Sequence, residues 1–196
     1  MLLHDRLKNY RLILASASPR RRELLADCDI DFELAEKFEC EESFPDDMPA
    51  GEVAEYLSRL KSEAYPEPLG EKDILLTADT VVISRDKILG KPHSEAEAVE
   101  MISLLSGATH KVVTGVTLRT TERTISFSAE SLVSFRELDA EEISYYVEKY
   151  RPLDKAGAYG IQEWIGYIGI DGLEGSFYNV MGLPTQRLYT ALKELL

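Results

Sequence analysis

Short apolar runs of strand length alternate along this chain with longer stretches whose apolar positions recur at helical spacing. Arg11 to Ala15 (RLILA) reads as a buried strand, and the Ser-Ala-Ser-Pro that follows predicts a helix over Pro19 to Asp27 with Leu24 and Leu25 on its core side. Phe32 to Phe38 reads as a second strand, and Gly51 to Ala64 as a helix with Val53, Ala54, Leu57, Leu60 and Ala64 on one apolar face. Ile74 to Ser84 is a strongly β-branched strand that Arg85-Asp86 closes with a hairpin-like turn. Glu95 to Leu105 is an amphipathic helix, Lys111 to Thr120 and Thr124 to Phe135 an antiparallel pair, and Ala140 to Tyr150 a further helix. Short strands are expected near Trp164 to Ile170, and a last helix over Pro184 to Leu196. Mixed order of this kind predicts an α/β fold with a partly antiparallel sheet.

Composition narrows this picture only slightly. The chain has 196 residues, 44% hydrophobic and 29% charged, enough to bury a core without staples. No Pro/Gly/Ser-rich linker divides it, so residues 1–196 are read as one compact domain with room for two lobes. A formal net charge of -13 repels nucleic acid and anionic membrane, so neither is an expected partner and any phosphate site must be local. Cys28 and Cys40 have no zinc or CxxC spacing and read as reduced thiols, with a disulfide between them as the alternative. The N-terminal segment lacks the length of a signal h-region or membrane span, which makes the cytoplasm the expected location.

Candidate chemistry lies at three places. In Ser16-Ala17-Ser18-Pro19-Arg20-Arg21-Arg22, Ser18 is placed as N-cap and Pro19 as the first helical residue. Three arginines in that first turn oppose the helix dipole, so something anionic should compensate them. Free N–H groups, two hydroxyls and an arginine fork make a phosphate cradle. The alternative is a solvated face where the arginines pair with acids. In Thr77-Ala78-Asp79-Thr80 a carboxylate interrupts a buried strand, and it needs a metal, a cationic partner or a raised pKa. A structural ion pair with a lysine such as Lys91 is the alternative.

The acidic run around Glu41, which includes Glu39 and Glu42, offers a further oxygen ligand; Asp79 with one of these glutamates would suffice for Mg²⁺ or Mn²⁺ alongside phosphate oxygens. Lys61 and Lys91 each offer a flexible point charge for a phosphate. In Asp154-Lys155-Ala156-Gly157-Ala158-Tyr159-Gly160-Ile161-Gln162 the glycines permit close approach to a ligand. The Gln162 carboxamide can complement the N–H and C=O edge of uracil or thymine, with Tyr159 packed nearby. An ordinary turn with a core tyrosine is the alternative. His4, His93 and His110 share no metal spacing and are given no catalytic role. These features reach phosphate ester or anhydride chemistry with a metal.

Six blocks, in order, resemble the Maf family: Leu14 to Arg21, Ala78 to Val82, Gly90-Lys91-Pro92, Leu105-Ser106-Gly107 with His110, Asp154 to Gln162, and Asn179 to Pro184. The resemblance implies an elongated α/β fold of mixed sheet and flanking helices with a deep cleft, similar to inosine triphosphate pyrophosphatase. It implies hydrolysis of a nucleoside triphosphate to monophosphate and pyrophosphate with a divalent metal, and homodimers are common in that family. By position Asp79 matches the catalytic acid, taken as proton acceptor or metal ligand. Arg20, Thr80 and Gln162 match positions tied to substrate choice, and Ser16, Ser18, Glu41, Lys61 and Lys91 match cleft residues. Glu39 and Glu42 fit the same alignment as Glu41. The unbroken Asp154 to Gln162 block is similar to the branch acting on dTTP and UTP. A house-cleaning enzyme for modified nucleotides and a nucleotide-binding regulator of septum formation are the competing readings. The Trp164 to Ser176 segment is longer than in many relatives.

Overall fold

The computed structural model describes residues 1–196. In chain order the elements are α1 (Leu3–Leu7), β1 (Arg11–Leu14), α2 (Pro19–Ala26), β2 (Glu33–Leu34), α3 (Ala50–Ala64), β3 (Asp73–Ser84) and β4 (Lys87–Leu89). Then follow α4 (Glu95–Leu105), β5 (Thr109–Arg119), β6 (Thr124–Phe135), α5 (Ala140–Tyr150), a 3₁₀ turn over Ala156–Ala158, α6 (Trp164–Gly169), β7 (Ile170–Glu174), α7 (Phe177–Met181) and α8 (Thr185–Leu195). The seven strands form one mixed sheet in the order β2-β1-β3-β5-β6-β7, with β4 paired to β3. β1 runs parallel to β2 and β3, while β4 pairs antiparallel with β3 and β7 with β6. No helix is long and apolar enough to cross a membrane.

The chain divides into two compact units. The first comprises Met1–Asp79, Thr114–Ala129 and Gly182–Leu196, and the second Thr80–Val113 and Glu130–Met181.

In the first unit, β1 and β3 are held in register by apolar residues buried on both faces, among them Leu12, Ile13, Leu14, Ile74, Leu75 and Leu76. Arg11 and Asp73 are register partners at the strand ends, and the guanidinium grips both carboxylate oxygens at 2.8 and 2.6 Å. That pairing, with the Gly70 N–H at 2.8 Å, holds the Asp73 carboxyl below the usual range. Helix α3 lies close on β5. A Cβ on Gly115 would fall 2.2 Å from the Ala54 backbone, so only glycine allows the helix this near. One helical turn along, Ser58 Oγ meets Thr117 Oγ1 at 2.8 Å, which in turn meets Ser126 Oγ at 2.9 Å, and Thr77 Oγ1 donates to the Ser58 carbonyl at 2.6 Å. The buried stripe of α3 is therefore Val53, Ala54, Leu57, Ser58 and Ser62, while Leu60 is half-buried and Ala64 exposed. The sequence pattern places the stripe too far toward Leu60 and Ala64, because it cannot see hydroxyls that satisfy one another inside.

The expected strand over Phe32 to Phe38 shrinks to Glu33–Leu34. β1 pairs with it only at Ile13 and Leu14, since the chain leaves the sheet at Ser16 to enter α2 and gives later residues no ladder partner. Phe38 instead packs edge-on against Tyr65, their ring centroids 5.7 Å apart. Cys28 and Cys40 are free thiols.

The second unit centres on one apolar cluster that includes Val82, Ile102, Leu105, Val112, Val133, Phe135, Ile143, Tyr146 and Ile165. Its helices begin cleanly. Ser94 caps α4 by accepting the Glu97 N–H at 3.1 Å, and Asp139 forms a reciprocal capping box with Glu142 on α5. Arg85 and Asp86, with φ of 49° and 62°, make the tight turn expected between β3 and β4. The strands expected near Trp164 to Ile170 are corrected: Trp164–Gly169 is helix, and the strand follows at Ile170–Glu174. Aromatic and β-branched residues favour strands, but here Ile165 and Gly169, four apart, are buried while Tyr167 points outward, so packing sets a helical period over the local preference.

Candidate active site

The start of α2 is built as the sequence implies in position, though not in bonding. Ser18 occupies the N-cap and Pro19 the first turn, but the Ser18 hydroxyl makes no capping bond. The Ser16 hydroxyl accepts from the Ser18 N–H at 3.3 Å and from the Arg21 guanidinium at 3.1 Å. Arg21, grouped in the sequence with Arg20 and Arg22 and given no separate role, is buried and also donates to the carbonyls of Ala78 at 2.9 Å and Gly182 at 2.8 Å. Burial presses its pKa down while the charge of Asp79 acts against that. The opposed dipole is thus met at Arg21 by carbonyl oxygens, and at Arg22 by the Ala17 carbonyl at 3.2 Å. Arg21 ties the Ser16 turn to the residue just before Asp79. Arg20 is half-buried in the same first turn.

Asp79 is buried on β3, and its cationic partner is Lys61 of α3, not Lys91. Lys61 Nζ lies 2.5 Å from Asp79 Oδ1 and 3.1 Å from Glu42 Oε1. One ammonium therefore sits between two carboxylates. Of the acidic run, Glu42 is the member that pairs with Lys61, and both it and Glu41 are exposed. No group of three or more His, Cys, Asp or Glu side chains gathers anywhere. Asp79 and Glu42 nevertheless already converge on a single cation, and two carboxylates with phosphate oxygens and water are the donor set a magnesium-like ion takes.

Thr80, Lys91 and Gln162 belong to the second unit. Thr80 is the one position of β3 that is not fully buried, and Lys91 is exposed. Gln162 Oε1 is buried and has no hydrogen-bond partner. Two residues before Gln162, the Tyr146 phenol accepts the Gly160 N–H at 3.0 Å; three before it, Tyr159 Oη meets His110 Nε2 at 2.7 Å. Burial lowers the His110 pKa to about 4, so the ring is neutral at pH 7, and it raises those of both tyrosines. The sequence singled out Tyr159 but gave no sign of Tyr146, whose α5 position reads only as core.

The sheet order and the flanking helices define a fold shared with a HAM1 protein from Coxiella burnetii, at a TM-score of 0.50 and 17% identity over 94% of this chain and 99% of that one. Residues 11–195 match the family described as Maf-like protein. The dTTP/UTP pyrophosphatase of Parabacteroides distasonis is 50% identical over 96% of this chain and 98% of its own length. That of Bacteroides thetaiotaomicron is 52% identical over the same shares. This chain belongs to the Maf family.

Proposed function

We propose that this protein is a metal-dependent nucleoside triphosphate pyrophosphatase that converts dTTP and UTP to the monophosphate and pyrophosphate. The observation that carries the reaction class is the buried Asp79 carboxylate sharing one cation with Glu42. Water attacks the α-phosphorus, a new P–O bond forms, and the bond to the β-phosphate oxygen breaks to release pyrophosphate. Asp79 accepts the proton of the attacking water on one of its carboxylate oxygens. A bound Mg²⁺ or Mn²⁺, held by Asp79 and Glu42, would neutralise charge on the phosphate oxygens. Lys61 brings a positive charge to the polyphosphate, and Arg20 with the Ser16 and Ser18 hydroxyls supplies donors at the start of α2. Arg21 fixes the turn that presents them.

The choice of base is supported by the unpartnered Gln162 oxygen, which suits the N3–H shared by uracil and thymine, and by the names of the relatives above. The test is pyrophosphate release from dTTP, UTP, CTP, GTP, methylated GTP and ITP with Mg²⁺ or Mn²⁺, against EDTA controls. Metal-dependent turnover restricted to dTTP and UTP is the expected result. Turnover of the other bases would overturn the role of Gln162, and no turnover of any would overturn the enzyme.

A further inference from the structure

A glutamine discriminates uracil from cytosine only if its backbone presents the carboxamide at a fixed place and angle to the base edge. The backbone that carries Gln162 is fixed on both sides. Tyr146, fully buried on α5, accepts the Gly160 N–H at 3.0 Å and donates to the Glu163 carboxylate. The other Glu163 oxygen lies 3.2 Å from Lys155 Nζ, which reaches Asp154 at 2.8 Å and is itself buried. A Cβ on Gly160 would fall 3.0 Å from the Glu163 carboxyl and 3.1 Å from the Lys155 chain, so this packing closes directly over the peptide before Ile161. One hydroxyl thus spans the residues on either side of Ile161 and Gln162.

We propose that Tyr146, acting through Glu163 and Lys155, is a positioning residue that sets base discrimination by Gln162. The proposal rests on the pyrimidine reading above and adds to it residues that touch no substrate. Because a buried phenol bonded to both a backbone N–H and a carboxylate has one satisfied orientation, it holds the segment in one conformation. Burial and the Glu163 carboxylate keep that phenol protonated, and hence a donor, across the working pH range.

The experiment compares kcat and KM for dTTP and dCTP in the full-length wild type, Tyr146→Phe, Glu163→Ala and Glu163→Gln, with a melting curve for each. Tyr146→Phe and Glu163→Ala should each narrow the dTTP-over-dCTP ratio of kcat/KM by about tenfold, chiefly through a higher KM for dTTP. Glu163→Gln still accepts from the phenol and should recover most of the ratio. An unchanged ratio in folded Tyr146→Phe overturns the proposal, as does an equal fall in kcat on both nucleotides, which is what a merely structural role would give. Should Tyr146→Phe fail to fold, the partly exposed Glu163→Ala is judged by the same two outcomes. A wild type that does not distinguish dTTP from dCTP overturns the pyrimidine reading itself, and is recognised before any variant is made.

Discussion

Around Asp79 the first unit divides one cation between two carboxylates near solvent, whereas around Gln162 the second unit buries neutral groups, the Tyr146 and Tyr159 phenols and the His110 ring, with the Glu163–Lys155–Asp154 ion pairs beside them. The side chain of Glu42 is 51% exposed, so the ion cluster opens to solvent on one side. His110 and Tyr146 are 2% and 0% exposed. A carboxylate that holds a lysine can hold another cation instead, since charge attraction is tolerant of geometry. A buried hydroxyl or imidazole has few alternative partners and so fixes position. The first arrangement suits exchange with a charged ligand, and the second suits holding a shape.

The comparison breaks most directly at Asp79. Asp79→Asn keeps the volume and removes the charge, and it should lower kcat for dTTP by roughly 10³-fold while the melting temperature moves little. Steady-state kinetics at saturating metal checks it, and a native rate would remove Asp79 from the chemistry.

The second unit is challenged through pH. The His110 pKa is lowered in the folded chain to about 4, against 6.5 for the free side chain, so between these values the unfolded state binds more protons. Stability from this group is complete above pH 6.5 and is lost as pH falls toward 4, by about 3 kcal/mol over that window. Denaturant titrations at pH 7 and pH 4.5 should show this loss, and His110→Gln should remove most of it. The same loss in the variant would assign it to other groups.

The smallest contrast separates neighbours within the acidic run. Glu42→Gln should reduce kcat/KM about tenfold or more, while Glu41→Gln stays within about twofold. Equal effects would show that the run acts only through its summed charge.

Much of this was legible in the chain. The elements with strong periodicity or clear caps, β3, α4, β6 and α5, lie where spacing put them, because local pattern and tertiary packing agree there. Asp79 stood out because a charge inside an apolar strand must be compensated somewhere. What failed depended on distant partners. β2 is short because β1 ends, α6 is a helix because Ile165 and Gly169 pack inward, and the stripe on α3 shifts toward Ser58 because Thr117, itself bonded to Ser126, satisfies that hydroxyl.

By itself, then, the sequence determined the α/β class, the family and the segments that carry the chemistry, since these follow from residue type and local order. Only the tertiary structure decided that Lys61 rather than Lys91 pairs with Asp79, that Glu42 joins them, that Arg21 braces the Ser16 turn, and that Tyr146 holds the peptide before Ile161. Each of these is a contact between residues far apart in the chain, and a side chain's type states what it can bond, while the fold alone selects the partner.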